Sequence, residues 1–145
     1  MIRLELAGEP IPQARPRMFR KGHRTMVFDP QAAYKKQQRY LIQDQIDNIK
    51  DFKQFRYPNI RFWFFMPIPK SMNKTDRLMA NEERLRHIKK PDVDNITKLY
   101  LDILTGIVYD DDNCVALDSC RKIYSPNPRT VMFIDEGEKL YDGWY

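Results

Sequence analysis

Residues 89 to 115 read KKPDVDNITKLYLDILTGIVYDDDNCV, a stretch holding Asp92, Asp94, Lys98 and the run Asp110, Asp111 and Asp112. Three or four carboxylates brought together without a counter-charge repel one another and raise their own proton affinities, unless a divalent cation neutralises them. The donors on offer are all oxygen. The two histidines and two cysteines lie at no zinc spacing, so the expected ion is a hard one that keeps water in its shell: Mg²⁺, with Mn²⁺ able to replace it. An EF-hand calcium loop is excluded. Counted from Asp92, its glycine position holds Thr97 and its glutamate position holds Ile103. Taken singly, each residue has a plainer use: Asp94 as a helix cap, the aspartate run as a solvated turn, Lys98 as an exposed partner one helical turn on. Their combination and spacing favour a site for a divalent cation.

The elements that must position these groups are legible around them. Ile96, Leu99, Tyr100, Ile103 and Leu104 recur at the spacing of a helix with one buried face. Asp94 is expected to cap that helix and Gly106 to end it. Pro91 disfavours helical geometry at Lys90, which places Asp92 in an extended lead-in. Lys98, four residues after Asp94, lies over the same polar edge. Ile107, Val108 and Tyr109 are β-prone and, folded back beside the helix, would bring the second acidic cluster toward the first.

The pattern K-P-D-x-D-N, then Lys98, L-D-x-L-x-G and V-Y-D-D-D-N-C-V resembles the RusA-type Holliday junction resolvases, small homodimeric, magnesium-dependent endonucleases that cut four-way DNA junctions. Agreement is weaker in G-E-P-I-P-Q-A-R-P-R near the start, which is similar to that family's opening strand and basic loop, and in P-K-S at 69 to 71. The resemblance implies Asp92 and Asp94 as the metal-binding pair, Lys98 as the catalytic lysine and Asp112 as the last acidic ligand. Because this chain has one aspartate more than the pattern, Asp111 is the alternative third ligand. Asp102 also matches a family position, with no role attached to it. A bacterial or phage-encoded enzyme of the cytoplasm, acting on branched DNA as a homodimer, is what the likeness implies. Two rivals remain: a non-catalytic basic DNA-binding module with an inert acidic turn, and a D-x-D nucleotide-sugar transferase. The transferase is disfavoured by the chain's length and basicity.

Charge supports a nucleic-acid partner. The net charge is +5, but it is unevenly spread. Residues 1 to 91 carry 20 Lys and Arg against 9 Asp and Glu, whereas residues 92 to 145 carry 5 against 11. A basic body around an acidic centre suits an enzyme that holds a phosphate backbone and cuts it. The best DNA-contacting candidates are Arg15, Arg17, Arg20, Lys21 and Arg24, in a segment that includes Phe19 and reads as a flexible loop or, in its plainer reading, as a solvated hairpin, together with Lys89 and Lys90 beside the first acidic pair. Phe19 is read equally well as a wedge between bases or as a core residue.

With 145 residues the chain is expected to form one domain, 1 to 145, of α+β class, with a mixed sheet of four to five strands covered by helices. Strands are predicted at 2 to 8, 59 to 66, 115 to 124 and 130 to 135. A helix is predicted from the cap Asp29 to about residue 50, with Tyr34, Leu41, Ile42, Ile46 and Ile49 on its apolar face and Lys35, Lys36 and Arg39 on a solvated or phosphate-contacting one. The strand NIRFWFFM is apolar on both faces, which predicts a helix on one and a second subunit on the other. Residues 71 to 88 read as a polar, largely helical arm in which His87 is solvated. Two cysteines make no disulfide framework, and no signal peptide or long apolar run is seen, so a cytoplasmic setting without membrane contact is expected.

Overall fold

In the computed structural model, which describes residues 1–139, strand β4 (Pro58–Pro67) is the centre of the molecule. Residues 140–145, the close of the expected 1 to 145 domain, lie outside that description. Alternation sends Ile60, Phe62, Phe64 and Met66 to one face, where each is at most 2% exposed. β4 pairs antiparallel with β6 (Arg129–Glu136) and parallel with β5 (Ala116–Ser125), while β1 (Ile2–Ala7) lies beyond β6. The order β1-β6-β4-β5 makes a mixed four-stranded sheet, and the protein is a single α+β domain as expected. No described helix is long and apolar enough to cross a membrane.

Helices α1 (Ala32–Asp47) and α3 (Val93–Leu104) bury their apolar stripes, Ile42 and Ile46 from one and Ile96, Leu99, Tyr100, Ile103 and Leu104 from the other, in one core with the inner sheet face. Helix α1 starts at Ala32 with Gln31 as its N-cap, two residues later than the expected cap Asp29, whose carboxylate accepts from the Gln31 N–H and the Lys35 ammonium. Leu41, assigned to the apolar face, is 39% exposed and Gln38 is buried instead, so the stripe runs through 38, 42 and 46. Lys35 and Arg39 are also corrected: both grip α3. Arg39 donates to the carbonyls of Asp102, Ile103 and Thr105, at 3.2, 3.0 and 2.6 Å, capping a helix end that would otherwise leave those acceptors unpaired.

The outer face of the sheet holds Trp63 and Phe65 of β4 with Phe133 of β6, and arginines lie over the rings: Arg121 over Trp63, Arg129 over Phe65 and Arg61 over Phe133. Among the described residues no helix covers this face. Phe65 is 4% exposed because the Arg129 guanidinium sits 3.8 Å from its ring centre.

Residues 71 to 88 are less helical than the sequence suggested. Only α2 (Lys74–Asn81) forms, capped by Asn73, and Glu83 at φ 59° ends it. Beyond it, Leu85 and His87 hydrogen-bond to Tyr124 and Lys122 along the free edge of β5. His87 is therefore 8% exposed, against the Tyr124 ring, and not solvated. Burial, then the Lys122 and Lys89 cations, push its pKa from 6.5 down to about 4. Above pH 6.5 the ring is neutral whether the chain is folded or not. As pH falls from 6.5 toward 4 the unfolded chain takes the proton and the folded one refuses it, so stability is lost across that window. The thermal midpoint of the wild type is expected to fall more steeply over that range than that of His87→Phe. Parallel curves would remove this role.

Candidate active site

The lead-in to α3 is held from below. Lys122, 9% exposed on β5, donates its ammonium to the carbonyls of Lys89 and of Pro91, the latter at 2.7 Å. It reaches them because of a register shift in β5: Ile60 pairs with Leu117 but Arg61 with Ser119. The extra residue turns Cys120 and Lys122, like Leu117, toward α3. Burial lowers the pKa of Lys122, opposed by the nearby Asp92 charge.

Asp92 is extended, as expected, but it is also the N-cap. The helix begins at Val93, so Asp94 lies within its first turn and does not cap it. The Asp92 side chain makes no capping hydrogen bond, which leaves its carboxylate free at the positive end of the helix. One turn above Asp94, Lys98 is exposed. Together with Val93, Thr97, Leu101, Leu117 and Cys120, these two line an open groove between α3 and β5.

The chain after Gly106 folds back against the C-terminal half of α3, which sets the second cluster beside Asp102 and does not gather it with Asp92 and Asp94 as the sequence suggested. With Thr105 as C-cap, Gly106 at φ 80° reverses the chain, Val108 and Tyr109 are buried, and the Tyr109 hydroxyl donates to the Leu101 carbonyl at 2.7 Å. The three-residue 3-10 turn Asp112–Cys114 then begins, capped by Asp111, whose carboxylate accepts from the Asn113 N–H at 2.9 Å. That N–H, followed by a hydrogen bond with Asp112, holds the Asp111 carboxyl below its ordinary value. Asp112 is raised instead, by the hydrogen bond to Asp111, by desolvation and by the charges of Asp111 and Asp102. Of the two candidates for the third ligand, Asp111 is thus occupied as a cap, whereas Asp112, hydrogen-bonded to Asp111 and facing the charges of Asp111 and Asp102, has its carboxyl held above its ordinary value.

Asp94 and Lys98 therefore share one groove, and Asp111, Asp112 and Asp102 share the field at the other half of α3. Among the described residues, no three of the histidines, cysteines and carboxylates lie close enough to hold one ion. The donor chemistry nevertheless fits a hard divalent cation. The candidates are exposed oxygen ligands, and the like-charge strain on Asp112 is what such an ion relieves. Sequence reasoning missed Lys122 and the Lys35 and Arg39 contacts. No periodicity marks a cation that points inward to backbone carbonyls.

The basic segment is an ordered hairpin, not a flexible loop. β2 (Arg17–Lys21) pairs antiparallel with β3 (Arg24–Phe28), and all ten residues are exposed. Phe19 is outside the core, 44% exposed and edge-on to Phe28 at 5.8 Å. Pairing of Arg17 with Phe28, Phe19 with Met26 and Lys21 with Arg24 puts these six on one face and Arg20 on the other. Arg15 precedes the arm, and Lys89 and Lys90 are exposed beside the α3 lead-in. A duplex lying on the aromatic face meets Arg17, Lys21 and Arg24. Replacing Arg17 and Lys21 by Gln is expected to reduce the slope of log K against log salt by about 2, and Arg20→Gln by much less. Equal slopes for all variants would move the DNA surface elsewhere.

Two comparisons bear on this arrangement. The family model for "Endodeoxyribonuclease RusA" matches residues 7–135, which include the arm, α3 and both acidic clusters. The Uncharacterized protein YqaN of Bacillus subtilis (strain 168) is 32% identical over 146 residues, spanning 93% of this chain and 96% of YqaN.

Proposed function

The chain belongs to the RusA endodeoxyribonuclease family, and from that premise we propose that it is a magnesium-dependent, structure-selective endonuclease that resolves four-way (Holliday) DNA junctions in recombination and repair. The observation that supports this reading best is the pairing of free carboxylates with a cationic arm. Asp92 and Asp94 sit at the start of α3, a strained Asp112 lies beyond its end, and exposed arginines and phenylalanines project from the same chain. The family pattern makes Asp92, Asp94 and Asp112 the ligands of Mg²⁺, for which Mn²⁺ would substitute; the described residues do not gather the three within reach of one ion, so binding would have to draw Asp112 toward the first pair, and the ion would supply charge neutralisation and Lewis acidity at the scissile phosphate. Lys98 meets the charge that grows on the phosphate in the transition state. Arg15, Arg17, Lys21 and Arg24, with Lys89 and Lys90, hold the backbone of the arms, Arg20 on the opposite face contributes less, and Phe19 and Phe28 offer flat apolar surface to unstacked bases at the branch.

Resolution requires two cuts related by the junction's two-fold axis, and one subunit carries one set of carboxylates. A C₂ homodimer supplies both sets. The outer sheet face suits the interface, since Trp63, Phe65 and Phe133 under Arg61, Arg121 and Arg129 are the residue types that dominate interface energetics. The test is incubation with a labelled four-way junction and a linear duplex of matching sequence, with Mg²⁺ or with chelator. Nicks in the junction only with metal support the nuclease. A retarded but intact junction in both conditions supports the non-catalytic module.

A further inference from the structure

Asp102 lies on α3 between the two acidic clusters and is the one aspartate of the segment whose carboxylate meets a lysine. Its Oδ2 lies 2.8 Å from Lys35 Nζ, and the same ammonium lies 2.7 Å from Asp29 Oδ2. Asp29 is the residue immediately after β3. Lys35 is on the first turns of α1, its side chain only 15% exposed. One cation thus joins the base of the arm, α1 and α3.

The arm needs such an anchor. A two-stranded hairpin is at best marginally stable alone in water, all ten of its residues are exposed, and neither strand packs broadly on another element. What fixes its direction is the pair of segments at its foot, and both are tied to α3 or α1. The Ile11 N–H donates to the Tyr100 hydroxyl at 3.3 Å and the Gln13 N–H to the Asn95 carbonyl at 3.0 Å. Gln31 clamps the two segments to each other, accepting from the Ala14 N–H at 2.8 Å and donating to the Pro12 carbonyl at 2.9 Å. These rungs are neutral. The Asp29, Lys35 and Asp102 triad is the charged one, and it brings a carboxylate at the end of β3 and one on α3 onto a single ammonium.

We infer that Asp102 is a positioning residue: through Lys35 it locks the DNA-contacting arm to the helix that carries Asp92, Asp94 and Lys98, so that a backbone held by the arm is presented to those residues. This rests on the nuclease reading for its purpose, but the lock itself is a property of the free protein. Asp102 would then act on binding and alignment, not as an additional metal ligand.

A double-mutant cycle on the full chain tests it with Asp102→Asn, Lys35→Met and their combination, and Lys35→Arg as the conservative variant. Amide hydrogen exchange across residues 17 to 28, without DNA or metal, reads the lock directly and is independent of whether the protein cuts anything. Exchange there is expected to rise about three- to tenfold in either single variant, the scale for losing one partly shielded ion pair, and no further in the double. Lys35→Arg should stay near wild type. Four-way junction affinity should fall by a similar factor, with the Mg²⁺ concentration for half-maximal cutting unchanged. Unchanged arm exchange in Asp102→Asn would overturn the inference. So would a further loss of cutting, with a raised Mg²⁺ requirement, when Asp102→Asn is added to Lys35→Met, since that pattern belongs to a metal ligand.

Discussion

Asp92→Asn, Asp94→Asn and Asp112→Asn are each expected to lower the rate of junction cutting by more than about 10²-fold, because even outer-shell changes at metal sites cost about 10- to 100-fold. Binding of the junction should be nearly unchanged, since the phosphate contacts lie on the arm. None of the three changes should disturb folding. The Asp92 side chain makes no capping hydrogen bond, so Asn there loses none, and α3 still starts at Val93. Asp94 is exposed in the first turn. At position 112 the change removes a carboxylate that is already repelled by Asp111 and Asp102, so thermal stability should hold or rise slightly. Asp111→Asn keeps an oxygen to accept the Asn113 N–H and is expected to keep cutting. An active Asp112→Asn beside an inactive Asp111→Asn would transfer the third-ligand role to Asp111.

Lys98→Ala is expected to lower the cutting rate by about 10² to 10³, the scale for losing one preorganised electrostatic stabiliser of a transition state. Lys98 takes part in none of the ion pairs among the described residues, so the folded protein places no demand on its charge that the variant would lose. Its position one turn above Asp94, on the rim of the same groove, keeps it free to meet a phosphate. The loss should appear in the single-turnover rate, with junction affinity and metal requirement nearly constant. A variant that cuts at the wild-type rate would leave Lys98 as a surface cation.

Much of this was readable because the strongest signals coincide with buried elements. The alternating NIRFWFFM run and the 96, 99, 100, 103, 104 stripe are core faces, and burial fixes their register and phase. The α3 cap was misread by two residues because Asp92 and Asp94 are both good caps, and composition does not distinguish them. The sequence leaves the arm open between loop and hairpin because its strands bury nothing, so the alternation of Arg17, Phe19 and Lys21 against Met18 and Arg20 carries no inside-outside contrast. The solvated or phosphate-contacting reading of Lys35 and Arg39, the solvated reading of His87 and the silence of the sequence on Lys122 have a common reason. Each is a polar side chain whose partner is distant in sequence: a carboxylate or helix-end carbonyls on α3, the carbonyls of the lead-in, the ring of Tyr124. Such pairings follow from tertiary packing, which local pattern does not encode.

The central claim is that these carboxylates, with Lys98 and the arm, make a metal-dependent junction resolvase. It is tested most directly by mapping the cuts on a four-way junction labelled in turn on each strand, in Mg²⁺ and in excess chelator. The account predicts nicks at symmetry-related positions in two opposing strands, dependent on metal and absent from a linear duplex of the same sequence. A junction that stays intact in Mg²⁺ while bound, or cuts that are unpaired and equally frequent in the linear duplex, would contradict it.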